Sequence, residues 1–199
     1  MAALALTVGV LALQGDFAEH ISVFRQLGAS AHEVRTADEL LRADGLVIPG
    51  GESTTIAKLL DIYGLRETIV AYGASGRAVW GTCAGMILLA RDLIEDLPIP
   101  LGMMDMVVQR NAFGRQVQSF ETDLDVTGVE GGLLHAVFIR APRVCEIGPD
   151  VQVLSKLEDG SAVAVRQGNL LATAFHPELT LDDRLHRYFL ELVDAAVRS

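Results

Sequence analysis

The feature that most constrains this chain is the pentapeptide Gly81-Thr82-Cys83-Ala84-Gly85. It is entered from the apolar stretch Ala78-Val79-Trp80 and left into a second apolar stretch beginning at Met86. A nucleophilic side chain between two glycines, at the passage from a strand into a helix, is the sharp turn that lifts one reactive atom above the end of an α/β sheet. The glycines matter because a turn this tight leaves no room for side chains beside the nucleophile. A sulfur held there also lies at a helix N-terminus, where the backbone dipoles favour thiolate. The plain alternative is a small buried cysteine. The strand–elbow–helix context favours the nucleophile.

The order of the other segments agrees with that architecture. Leu4–Leu13 reads as a nearly continuous apolar strand, the pattern of a parallel strand covered on both faces. A helix follows from an Asp16 N-cap to about Leu27, then a strand over Ala31–Arg35 and a short helix over Thr36–Arg42. Gly45–Ile48 is a third strand, stopped by Pro49-Gly50-Gly51, after which Ser53 is expected to cap a helix to about Leu60. Leu65–Tyr72 continues helical, Ala78–Trp80 is a strand and Met86–Arg91 a helix. Strands then dominate: Asp105–Glu121, Val137–Arg140, Val151–Leu157, Ala162–Arg166 and Leu170–Phe175, with hairpin signals at Asp159-Gly160 and Gln167-Gly168-Asn169. The last helix runs over Leu181–Val197. The reading is one three-layer α/β domain over residues 1–199 with a mixed, largely parallel sheet. Its site belongs beyond the carboxyl ends of the strands.

Composition excludes several classes. With 199 residues, half of them hydrophobic, the chain can bury a real core and is not disordered. Sixteen basic against 26 acidic residues give a net charge of −10, which opposes nucleic-acid and anionic-membrane binding. The uncharged stretch Ala78–Ala90 falls short of the roughly 18 residues a membrane span needs. The N-terminal apolar run has no basic flank and reads as a first strand rather than a signal peptide. Two cysteines make neither a disulfide framework nor a zinc site, so a cytoplasmic protein is expected, without metal or bound cofactor. Cys145, in Pro142–Ile147 without an elbow, is expected to be a buried structural cysteine.

An activated cysteine needs a base and a group to orient it. Of five histidines, His20 and His186 fall in expected helices and His32 in a short strand, positions for surface or core side chains. His135, at a strand start, is a possible base. His176 is the stronger candidate, because it follows the Leu170–Phe175 strand at its carboxyl end and is followed by Pro177-Glu178. In an extended segment residues i and i+2 share a side, so Glu178 can set the imidazole tautomer. Backbone N–H groups of Ala84 and of Gly51, in the Pro49–Ser53 turn, are placed to form an oxyanion hole.

This constellation resembles that of the triad (class I) glutamine amidotransferases. It is most similar to their branch that serves as the glutaminase subunit of pyridoxal 5′-phosphate synthase. Six segments carry the resemblance along nearly the whole chain: Leu11–His20, Pro49–Thr55, Gly81–Ala90, Met104–Gln116, Val137–Pro142 and Phe175–Glu178. The resemblance implies a flavodoxin-like fold and hydrolysis of L-glutamine to glutamate and ammonia through a Cys83 thioester. His176 would move the proton, Glu178 would orient it, and Gly51 and Ala84 would bind the oxyanion. It implies substrate contacts from Gly51, Glu52, Ser53, Arg110, Ile139 and Arg140. An arginine would suit the substrate carboxylate and Glu52 its ammonium group. It also implies passage of ammonia to a synthase subunit in a large hetero-oligomer, with the glutaminase completed by docking; the Gly50–Gly51 peptide, which can flip at low steric cost, is the expected switch. Alternatives are a glutaminase feeding another acceptor synthase, a cysteine hydrolase of the same fold, and a non-catalytic subunit.

Overall fold

The apolar runs do become strands, but which of them lie side by side is decided by the sheet. A computed structural model describes residues 6–110 and 119–199. Its main sheet has seven strands. In chain order these are β1 (Thr7–Leu11), β2 (Ser30–Val34), β3 (Gly45–Ile48), β4 (Ala78–Thr82), β10 (Gln152–Lys156), β11 (Ala162–Gln167) and β12 (Leu170–Thr173). They are ordered β10-β11-β12-β4-β3-β1-β2. Pairing is parallel from β12 through β4, β3 and β1 to β2, and antiparallel among β10, β11 and β12. The sheet is therefore mixed and largely parallel, as the sequence pattern indicates.

Helices cover both faces. Trp80 of β4 turns toward α1 (Phe17–Gln26) and α6 (Arg184–Arg198), where His20, His186 and Phe189 close around it and Phe24 packs on the last two. On the opposite face Val79 meets α4 (Arg66–Ala74) at Gly73, with α3 (Ser53–Ile62) and α5 (Ala84–Leu89) packed nearby. Helix α2 (Ala37–Leu41) is closed by a capping box in which Thr36 and Glu39 satisfy each other's backbone N–H groups. One hydrophobic cluster, from Val8 to Val193, joins these layers.

The remaining strands form two small sheets, β5-β6-β9 and β7-β8. They comprise β5 (Ala90–Leu93), β6 (Met104–Gln109), β7 (Ser119–Leu124), β8 (Leu134–Ile139) and β9 (Arg143–Ile147). The expected strand Asp105–Glu121 is thus two strands in two sheets, and positions 111–118 between them lie outside the described residues. The expected helix Met86–Arg91 stops at Leu89. The carbonyls of Leu88, Leu89 and Ala90 accept from Leu101, Met103 and Gly102, so the chain leaves the helix and pairs as β5 with β6. Cys145 lies on an exposed face of β9, contrary to the expected burial. That strand sits in a small three-stranded sheet rather than the covered one. Among the described residues no helix is long and apolar enough to cross a membrane.

Candidate active site

Four adjacent parallel strands deliver the site. Registers Ile48↔Gly81 and Thr173↔Thr82 bring the carboxyl ends of β3, β4 and β12 level. The turn after β1 holds Gln14 and Asp16, that after β3 holds Gly50–Ser53, β4 runs into Cys83, and β12 leads to His176. A cavity of about 350 Å³ between them is lined by Gln14, Asp16, Gly51, Glu52, Ser53, Cys83, Ala84, Ile87, Arg110, Ile139, Arg140 and His176. Every substrate-contact residue expected from the sequence therefore faces this one cavity, as do both expected oxyanion donors.

The elbow has the geometry its glycines allow. Cys83 has φ 47° and ψ −101°, a region costing roughly 1–3 kcal/mol for a residue with a side chain. A Cβ on Gly81 would stand 2.5 Å from the backbone of Gly85, and one on Gly85 would run into the Ile48 carbonyl. Both neighbours are backbone and cannot move aside. The result is a buried sulfur 3.8 Å from the Ile139 carbonyl oxygen, facing the same cavity as His176.

His176 and Glu178 are also buried. The His176 Nδ1–H donates to Glu178 Oε1 at 2.7 Å, which leaves Nε2 for Cys83. The local backbone is not the extended segment expected. Pro177–Leu179 forms a 3₁₀ turn, with His176 in the capping position and its own N–H donated to the Val137 carbonyl of β8. The pair meets across the tight turn and a strand of another sheet holds it there. Burial opposes charge on His176, but its hydrogen bonds to Cys83 and Glu178 outweigh it and push its pKa to about 10. Burial raises the Glu178 pKa, and the bond from His176 pulls the other way. The ring is thus suited to stay protonated beside the sulfur at neutral pH.

The glycine-rich turn is locked to its neighbours. Gly51 has φ +155°, and a Cβ there would stand 2.7 Å from Gln14 Oε1. That oxygen accepts the Glu52 N–H at 2.7 Å. The cap of α3 is Glu52, not Ser53. Its two oxygens accept from Thr54 N, Thr55 N and Thr55 Oγ1, more bonds than one hydroxyl could satisfy. Ser53 is instead buried against the cavity. Burial raises the Glu52 pKa, but these bonds outweigh it and the net shift is downward. Glu52 Oε1 also accepts from Arg110 Nη2 at 3.2 Å, so its acceptor sites are filled and a substrate ammonium group would compete with Arg110. Arg110 is further held by its Nη1–H to the Leu97 carbonyl and by Glu95 on its backbone N–H. Arg140 has φ 45°, another strained position at the rim.

Asp16 does not cap α1 through its side chain. Its carboxylate lies 3.5 Å from His176 Nδ1, and burial raises its pKa. Among the described residues Asp16, His176 and Glu178 could bring three ligand atoms within 4.8 Å of one another. His176 Nδ1, however, is already bonded to Glu178. His32 binds the Glu39 carbonyl and the exposed His135 pairs with Asp123 and Glu121, so neither enters the site. His20, assigned to core or surface, packs directly behind Glu178 with its Nε2 3.3 Å from Oε2. Gln14, Asp16 and His20 had one available signal, their place just after the first strand at its carboxyl end.

Residues 10–195 match the SNO glutamine amidotransferase family. The pyridoxal 5′-phosphate synthase subunit PdxT of Parafrankia sp. is 60% identical over 188 residues, covering 94% of this chain and 92% of that protein. The protein of the same name from Dehalococcoides mccartyi is 57% identical over 189 residues, covering 94% and 97%. A solved structure described as a glutamine amidotransferase superposes with a TM-score of 0.88 at 51% identity, covering 94% of this chain and 98% of that one.

Proposed function

The chain belongs to the SNO glutamine amidotransferase family, and from that premise we propose that Cys83, His176 and Glu178 carry its glutaminase chemistry. The chain acts as one glutamine amidotransferase domain. It releases ammonia from L-glutamine, in keeping with the description of its family, and serves pyridoxal 5′-phosphate synthesis, in which its relatives are named as synthase subunits. The observation that carries the residue assignment is a buried cysteine in a strained elbow, facing the same cavity as a histidine that a buried glutamate orients.

The steps follow from that arrangement. The Cys83 thiolate adds to the side-chain amide carbon of glutamine, and the carbonyl π pair becomes an oxyanion between the N–H groups of Gly51 and Ala84. The His176 Nε2–H gives its proton to the amide nitrogen, the C–N bond breaks and ammonia leaves, with a γ-glutamyl thioester on Cys83. Neutral His176 then takes a proton from water, whose oxygen adds to the thioester carbon. The C–S bond breaks, glutamate leaves and the thiolate–imidazolium pair is restored. Glu178 keeps Nδ1 protonated throughout, the role of the third triad member. Arg110, Arg140, Ser53 and Ile139 border the space the amino acid would fill.

The acceptor of the ammonia is a synthase subunit, bound in a larger hetero-oligomer in the cytoplasm. The Asp16 N–H donated to the Gly50 carbonyl pins the Gly50–Gly51 peptide and supports a docking-sensitive switch there, since that bond must break for the peptide to turn. The test is glutamate release from glutamine by the purified chain, with and without its synthase subunit, and Cys83→Ala as control in both arms. Hydrolysis that rises on adding the synthase and vanishes in Cys83→Ala is the expected result. Absence of glutamine turnover by the folded complex overturns the reading and brings forward an ester hydrolase of the same fold.

A further inference from the structure

His20 and His186 are fully buried histidines that the reaction above does not use. Their rings meet at 3.0 Å through His20 Nδ1 and His186 Nε2. The other nitrogen of His20 stands 3.3 Å from both Glu178 Oε2 and Thr82 Oγ1. Glu178 Oε2 has no well-aligned hydrogen-bond partner, although Oε1 is fully engaged by His176. A buried carboxylate oxygen without a donor costs free energy and leaves the carboxylate free to rotate off its target.

One arrangement of ring protons suits this chain of atoms. With the His20 proton on Nε2, the N–H donates to Thr82 Oγ1 and lies beside Glu178 Oε2, and bare Nδ1 accepts from His186 Nε2–H. The partnerless atom left over is His186 Nδ1, which then carries only a lone pair. The opposite tautomers set a lone pair of His20 against a carboxylate and bury an unpaired N–H on His186, the costlier orphan. Both rings stay neutral, since burial holds their pKa values down, His186 to about 4.

We propose that His20 is a positioning residue for the triad, its Nε2–H, shared between Thr82 and the outer oxygen of Glu178 3.3 Å away, steadying that oxygen so that the inner one keeps His176 turned toward Cys83. His186 in turn fixes the tautomer of His20. The support thus comes from α1 and α6, on the face of the sheet away from the cavity. The proposal rests on the glutaminase reading above. The groups facing Glu178 are His176 within its own turn, Asp16 and His20 from the α1 side, and Cys83 beyond His176. From β8 comes only backbone, its His135 lying on the exposed side.

The test compares His20→Leu, which fits the aromatic surroundings of Trp80 but has no donor, with His20→Gln, whose amide can reach where Nε2 stands. Glutamate release is measured with the synthase complex from pH 6 to 10, alongside iodoacetamide alkylation of Cys83. His20→Leu is expected to lower kcat about 10- to 100-fold, the scale seen when outer partners of site residues are lost. KM for glutamine stays within about twofold, because no substrate contact changes. The acid limb of the kcat and alkylation profiles moves to higher pH, since an unsupported carboxylate protonates sooner. His20→Gln restores kcat and the limb. Folded His20→Leu with wild-type kcat and profile overturns the proposal, as does equal loss in both variants with an unmoved limb. If His20→Leu does not fold, His20→Gln decides alone: kept kcat supports the proposal and lost kcat sinks it. A wild-type complex that leaves glutamine intact defeats the glutaminase reading instead, a separate outcome.

Discussion

Gly50 lies against the imidazole of His176 so closely that a Cβ there would stand 2.9 Å from Nδ1 and nearer still to Cε1. The turn after β3 and the base after β12 are thus fitted to each other across the intervening strand β4. The Asp16 N–H also donates to the Gly50 carbonyl at 3.1 Å, tying in the turn after β1. Gly50→Ala would push the His176 ring off Glu178. Activity should fall at least about 100-fold, by analogy with losing one preorganised group of a site. Thermal stability should drop by only a few degrees. A Gly50→Ala enzyme with normal kcat would show that the ring has slack the packing does not suggest.

Glu178→Gln keeps the shape of the side chain but offers Nδ1 a group that can donate as well as accept, so the tautomer is no longer set. Loss of the orienting carboxylate in such triads costs about 10⁴-fold in kcat. A comparable fall is expected in steady-state glutamate release, with KM little changed. A fall under tenfold would place the orienting role elsewhere, with Asp16 the nearest carboxylate.

Arg110 and Glu52 share a charged hydrogen bond at the cavity edge. Arg110→Met removes a cation suited to the substrate carboxylate, an interaction worth about 1.5–3 kcal/mol for a hydrogen bond to a charged group. KM for glutamine should rise about 10- to 100-fold, the same energy expressed as a ratio, with kcat within a few-fold. A kcat effect without a KM effect would assign Arg110 to the transition state instead.

The neutral His186 and the charged His176, both buried, give the fold opposite pH slopes. His186 has its folded pKa depressed to about 4, so between that value and its unfolded value near 6.5 the unfolded chain binds the extra proton. Stability from this group rises with pH across that window, by up to about 1.4 kcal/mol per pH unit. His176, raised to about 10, binds its proton more tightly when folded. Its contribution is full below pH 6.5 and is lost as pH rises toward 10. Urea midpoints against pH should show His186→Phe losing the acid-side slope relative to wild type, and His176→Gln losing the alkaline-side one. Parallel curves for wild type and His186→Phe would mean that the buried ring titrates normally.

The division between what the residues announce and what folding adds follows from range. The elbow is local: glycines at 81 and 85 around Cys83, between two apolar segments, specify a strand, a tight turn and a helix whatever surrounds them. The Pro49–Ser53 turn and His176-Pro177-Glu178 are legible in the same way, as short chemistry-bearing stretches at the ends of apolar runs. The parallel sheet is legible too, because strands covered on both faces need unbroken apolar sequence. Sheet order is not, since no periodicity in Leu170–Thr173 says that it lies beside Ala78–Thr82. That adjacency brings His176 to Cys83. It also decides that β8 fixes the His176 backbone, that Glu52 rather than Ser53 closes α3, and that Cys145 falls on an exposed sheet. His20 is the clearest case. Within its own helix it is one buried side chain among several, and only packing between α1, α6 and the turn after β12 sets its ring against Glu178. Interactions within a few residues are governed by backbone geometry that the sequence carries on its face. Those between residues 20, 83 and 178 depend on which surfaces the core excludes from water, and that is settled only when the whole chain folds.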